Sequence, residues 1–151
     1  MSRAFVREPD GSEPPEPPPD RPVPPGPNPV TPSGMARIDA ELDRLLAQPV
    51  LDPMQARDLH YWQQRRATAQ VTAPPRAGVV GFGSRIVVSG LGAEPRRLRI
   101  VGEDEADPKA GLIGWRAPLA QALDGAEVGD EVEGPGGRML VVLAVENDPA
   151  E

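Results

Sequence analysis

Apolar positions recur with two different periods along this chain, and the change of period divides it. In MARIDAELDRLLAQ, Ile38, Leu42, Leu45 and Leu46 fall at helical spacing. That predicts a first helix of about 14 residues, capped by Ser33 and ended by Pro49. Asp52-Pro53-Met54-Gln55 reads as a second start, with Asp as cap, Pro at the first position and Gln where a capping box places it. Met54, Leu59, Trp62, Ala69 and the stem of Arg66 give this second helix a looser apolar stripe. Two helices joined by so short a turn are expected to pack antiparallel, as a helical hairpin. Pro74-Pro75 closes the unit as a stiff hinge.

Beyond Val79 the period drops to two. Ile86 and Val88 alternate with Arg85 and Val87, and Gly90-Leu91-Gly92 turns the chain. Leu98 and Ile100 alternate with Arg97 and Arg99, so one face is apolar and the other charged. Within the stretch Val101–Glu133, Pro118 suits a first helical position, and Leu119, Ala122 and Leu123 line one face of about two turns. Gly125 supplies a left-handed stop. Gly129-Asp130 marks a turn, Val132 opens another alternation, and Gly134-Pro135-Gly136-Gly137 turns again. The last run, MLVVLAV at Met139–Val145, is apolar on both faces, as expected of a central strand. The pattern predicts an α+β architecture: a short N-terminal antiparallel helical hairpin, then an antiparallel sheet curled around a short helix.

Composition changes the picture at the front. Twelve of the 21 prolines precede residue 34, within a segment that has almost no apolar residues. Such a segment is expected to stay disordered with local polyproline II character, because it has too little apolar surface to offset its ordering entropy. The expected organisation is a Pro-rich tail over 1–33, the hairpin over 34–72, a hinge over 73–78 and the sheet domain over 79–147. The net charge of −7 divides as about −2, 0 and −5 over residues 1–33, 34–70 and 71–151. An acidic domain binds phosphate backbones poorly, so direct sequence-specific nucleic-acid binding is not expected and a protein partner is. The absence of cysteine excludes disulfides and thiolate metal sites. No apolar run approaches the roughly 20 residues of a membrane span and no basic-then-apolar leader is visible, so a cytoplasmic monomer without membrane contact is the expectation.

Five blocks carry a resemblance: FGS at Phe82–Ser84, VGEDEAD at Val101–Asp107, G-x-I at Gly111–Ile113, PLAQAL at Pro118–Leu123 and VGDEVE at Val128–Glu133. In order and spacing they are similar to the C-terminal domain of the GreA/GreB transcription elongation factors. Thr31, Gly34, Ile38, Glu41 and Leu42 resemble the opening of that family's coiled coil. The resemblance implies an FKBP-like fold for the second domain and RNA polymerase as partner. It implies docking at the mouth of the polymerase secondary channel, through the segment between the G-x-I strand and the following helix. Carried over by position, that segment is Trp115, Arg116, Ala117, Pro118 and Leu119. Trp115 serves equally as an interface anchor or as a lid on the small core. Ala117 stands where many relatives have a capping Ser.

In the family, acidic residues at the coiled-coil tip help hold a catalytic Mg²⁺ in the polymerase active centre. Mg²⁺ needs several hard oxygen ligands. The tip here, Ala47 to Met54, offers one carboxylate, Asp52, which is also placed to cap a helix. The expectation is therefore no catalytic residue, no metal and no cofactor in this chain, and no stimulation of transcript cleavage. Glu103, Asp104, Glu105 and Asp107 read as a solvated turn, because they lack the order of a calcium loop. Two alternatives stay open: a protein like Rnk, the regulator of nucleoside diphosphate kinase, and a prolyl isomerase of the FKBP type. The second needs a pocket of several aromatics, and the domain has only Phe82 and Trp115.

Overall fold

Helix α1, Pro32–Leu46, starts where a proline meets a threonine. Pro32 occupies the first turn and Thr31 Oγ1 accepts from the Gly34 amide at 3.0 Å. The cap is thus Thr31 and not Ser33: a proline at the first helical position places the cap one residue before it. Helix α2, Pro53–Thr68, carries the complete capping box expected for Asp52 and Gln55. The computed structural model describes residues 16–148; the first 15 residues of the Pro-rich tail lie outside them.

The two helices pack on one another around Ile38, Leu45, Tyr61 and Trp62, with Val30 at one end of the cluster. Met54 is exposed and Ala69 lies beyond the helix, so the buried face of α2 is Tyr61, Trp62 and Arg65 rather than the looser stripe the spacing suggests. Two three-residue strands bracket the helices. Strand β1, Asn28–Val30, pairs in parallel with β2, Ala69–Val71, in the register Asn28 to Ala69 and Val30 to Val71. Residues 28–33 therefore do not belong to a disordered tail. Asn28 and Val30 are buried because β2 supplies the backbone partners that a Pro-rich segment cannot supply to itself.

The second unit contains β3 (Arg85–Ser89), β4 (Arg96–Val101), β5 (Leu112–Gly114), α3 (Pro118–Leu123), β6 (Glu131–Glu133) and β7 (Met139–Glu146). Its five strands run in the order β5-β4-β3-β7-β6. All pairs are antiparallel except β4 with β5, so the sheet is mixed and not wholly antiparallel. The parallel step arises because the chain loops out after Val101 and returns through a 3-10 turn at Pro108–Ala110. Gly111 re-enters the sheet at φ 79, where a Cβ would lie 2.6 Å from the Arg97 carbonyl oxygen. Helix α3 has the predicted bounds, with Gly125 at φ 80 just past its end and no side-chain cap at Ala117.

Ala120 and Leu123 of α3 pack with Ile86, Val88, Leu98, Ile100, Ile113, Leu140 and Val142 on one face of the sheet. Among the described residues, no helix or second sheet is layered on the other face. Met139 and Leu143 are exposed there, which corrects the expectation that β7 is buried on both sides. A register shift between Val87 and Val88 against β7 accompanies that exposure. An open concavity of about 510 Å³ lies on the sheet, lined in part by Arg85, Val87, Arg97, Arg99, Leu112 and Ala144.

Candidate functional site

The loop between β4 and β5 begins GEDEAD, and its first three carboxylates all turn toward the N-terminal unit. Arg65 is 1% exposed, on the inner face of α2. Its Nε donates to Asp104 Oδ2 at 2.5 Å, and its Nη2 donates to Glu103 Oε2 at 3.0 Å and to Asn28 Oδ1 at 2.7 Å. Asp104 also accepts from the Tyr61 hydroxyl. Glu105 accepts from Thr31 Oγ1, and its second oxygen accepts from Ser33 Oγ at 2.8 Å. The loop is not the solvated turn that its composition suggests. It is the seam that joins the two units, and Thr31 both caps α1 and reaches across it.

Charge balance explains why these carboxylates tolerate burial. Burial alone would lower the pKa of Arg65, but the hydrogen bond and charge of Asp104 outweigh it and hold the guanidinium above its ordinary value. Burial and the hydrogen bond to Asp104 push the Tyr61 hydroxyl up to about 12. Tyr61 is the sole tyrosine, so phenolate absorbance reads it alone. An alkaline titration should give a midpoint near 12 in the folded chain and about 10 in denaturant. Because the folded state holds this proton more tightly, the stability it contributes is full below pH 10 and is lost as pH rises toward 12. Folded and denatured midpoints that coincide would refute the Asp104 contact.

Next to the seam stands the edge formed by the residues before α3. Trp115 is half-buried and packs against the sheet core, so it acts as a lid while keeping one side outward. Its indole Nε1 is buried and has no hydrogen-bond partner among the described residues. The Arg116 guanidinium lies over the indole, 4.8 Å from the ring centroid, and Arg116 Nε sits 3.2 Å from Glu103 Oε1. Arg116 Nη2 also donates to the carbonyl oxygens of Pro25 and, at 3.5 Å, Pro27. Ala117, Pro118 and Leu119 follow, with Pro118 exposed and Leu119 partly buried against the core. These five residues thus form one edge, linked to the seam through Glu103.

Asp52 lies away from this edge, in the connection between α1 and α2. Its Oδ1 accepts from the Gln55 amide at 2.8 Å, and its own amide donates to Gln55 Oε1 at 3.0 Å. The connection, residues 47–52, contains no second carboxylate. His60 is exposed and hydrogen-bonds Gln64 at 2.7 Å. Sequence reasoning missed Arg65 and Tyr61, although an Arg four positions after a Tyr within an amphipathic stripe places both on one helix face.

A two-helix unit clasped by an acidic loop to a mixed sheet with one short helix is the class that fold and site define. Residues 75–147 match the family described as transcription elongation factor, GreA/GreB, C-terminal. A GreB of Xanthomonas axonopodis pv. citri is 30% identical over 150 aligned positions, covering 78% of this chain and 89% of that protein. The chain belongs to the GreA/GreB family. A GreA of Vibrio parahaemolyticus is 40% identical over 86 residues, 55% of this chain and 55% of that protein. The chain spans about half the length of several curated relatives it matches, from 48% to 57%. The crystal structure of GreA factor homolog 1 of Thermus thermophilus aligns with 80% of this chain and 99% of its own at 20% identity and a TM-score of 0.40. The family assignment rests on the sequence matches.

Proposed function

We propose that this chain is an RNA polymerase-binding regulator of transcription elongation that docks near the secondary channel and does not stimulate transcript cleavage. It has no enzymatic activity of its own in this reading. The helices form the short hairpin, and the second unit is the family's FKBP-like domain, working as a cytoplasmic monomer. The observation that carries the reading is the state of Asp52. It is the lone carboxylate of the connection, and its side chain is committed to the capping box. Delivering Mg²⁺ takes several free hard oxygens at the tip. It also takes reach, and the 15 residues of α1 extend only about 22 Å at 1.5 Å per residue. What remains is docking through Trp115, Arg116, Ala117, Pro118 and Leu119.

Two assays decide it. Core polymerase should co-purify with the chain at micromolar concentration, and Trp115→Ala or Arg116→Glu should reduce that association at least about tenfold, the scale of a lost interface anchor. Backtracked elongation complexes should show no faster transcript cleavage when the chain is added. No association, or faster cleavage, sinks the reading.

A further inference from the structure

The Pro-rich segment that precedes β1 does not leave the protein at Asn28. It runs back over the α3 edge and along α2. Val23 precedes Pro24, which confines it to extended backbone, and Pro24, Pro25 and Pro27 fix their own φ angles. The segment therefore loses little entropy when it lies in a groove. Its contacts are specific. The Arg21 guanidinium lies 3.9 Å from the Tyr61 ring centroid and 5.4 Å from that of Trp62, with Asp58 Oδ1 3.7 Å away. Val23 packs into the Tyr61–Trp62 cluster. The carbonyls of Pro25 and Pro27 take the Arg116 guanidinium, and Gly26 turns between them at φ 85. Aromatic rings paired with a donor to proline carbonyls are how extended proline-rich peptides are recognised.

We propose that Tyr61, Trp62, Trp115 and Arg116 form one exchangeable binding track for an extended proline-rich segment, and that residues 21–27 are its resting occupant. Exchange follows from where the hold is strong and where it is weak. Asn28 and Val30 are 2% and 3% exposed and paired into a sheet, whereas residues 21–27 form no strand, contain no fully buried residue, and contribute Val23 to the helix-pair cluster. The Arg21–Asp58 and Arg116 contacts are solvent-accessible and contribute little each. While the segment is in place, Arg116 Nη2 is engaged by the Pro25 and Pro27 carbonyls and Nε faces Glu103. A carboxylate of a docking partner gains the Nη2 side of Arg116 only after the segment lifts. This last step rests on the docking reading above; the track itself does not.

The full chain serves for the test, in two variants that spare the docking residues. Arg21→Ala with Val23→Ser removes the two anchors on α2. Gly26→Val places a β-branched residue at a left-handed φ. Each should leave the melting transition cooperative and raise acrylamide quenching of the two tryptophans, Trp62 and Trp115. Adding a peptide of residues 16–27 to the Gly26→Val chain should restore the unmodified chain's quenching. Each variant should also bind core polymerase about three- to tenfold more tightly, since apparent affinity scales with the fraction of chains already open. Unchanged quenching in both variants, or a peptide without effect, overturns the track. If quenching rises and the peptide restores it but polymerase binding does not tighten, the competition is overturned. If no form of the chain binds polymerase, the docking reading falls, and quenching with peptide rescue decides the track alone.

Discussion

Replacing Arg65 by Met lowers the unfolding free energy by about 3–5 kcal/mol, the cost of breaking a buried ion pair by removing one partner. Urea midpoints of the full chain check it. The guanidinium is 1% exposed and satisfies Asp104, Glu103 and Asn28 at once. Asp104 is itself only 8% exposed, so without Arg65 a carboxylate stays buried with only the Tyr61 hydroxyl for company. The cost comes from that orphaned charge and not from lost attraction alone. Replacing Asp104 by Leu in the Arg65→Met chain should therefore recover part of the loss, because an apolar pair leaves no charge to strand. A single variant within about 0.5 kcal/mol of the parent, the range of an ordinary surface change, contradicts the geometry of the seam.

Gly102→Ala is the second large effect, and its cause is shape rather than charge. A Cβ at Gly102 would lie 2.6 Å from the carbonyl oxygen of Pro29, a backbone atom that cannot rotate away. Either the acidic loop or β1 has to move, at about 1–3 kcal/mol as for other overpacked interiors. The damage should be local first. Thr72 N–H donates to Val30 O at 2.9 Å, and its hydrogen exchange should accelerate ahead of the β3–β7 amides. Gly92→Ala, where an added Cβ meets nothing within 4 Å, serves as the near-neutral control. Equal stability of the two variants would mean that β1 does not lie against Gly102.

Local chemistry was legible where it acts locally. Pro118 and Gly125 bound α3 where the sequence places them, and the Asp52–Gln55 box opens α2 as read. The alternation at Arg85–Ser89 and Arg96–Val101 produced β3 and β4. What stayed hidden depends on partners far along the chain. Asn-Pro-Val has no alternation to announce a strand, and β1 exists because β2 returns beside it across two helices. The acidic loop looked solvated because its buried counter-ion, Arg65, lies on another element, 38 residues before Glu103. Arg65 was passed over in favour of Arg66 because a one-residue step on a helix is too small for a loose apolar stripe to resolve. Arg66 faces outward to Asp39, while Arg65 carries the seam. Of the two roles that the sequence left open for Trp115, the packing against the core is seen, and Arg116 has a partner, the tail, that composition alone had assigned to disorder.

The separation of the seam's two halves along the chain also bears on synthesis. Thr31 and Glu105 are 74 residues apart, and Arg65 precedes Glu103 and Asp104 by 38 and 39. At about 5–20 residues per second, translation takes about 4–15 s to cover the longer gap. Arg65 itself waits 38 to 39 residues, about 2–8 s at that rate, before Glu103 and Asp104 are made. The N-terminal unit is thus the first to be built and the last to close. The Tyr61 hydroxyl and the Arg65 guanidinium stay without their acidic partner until the second unit delivers the loop.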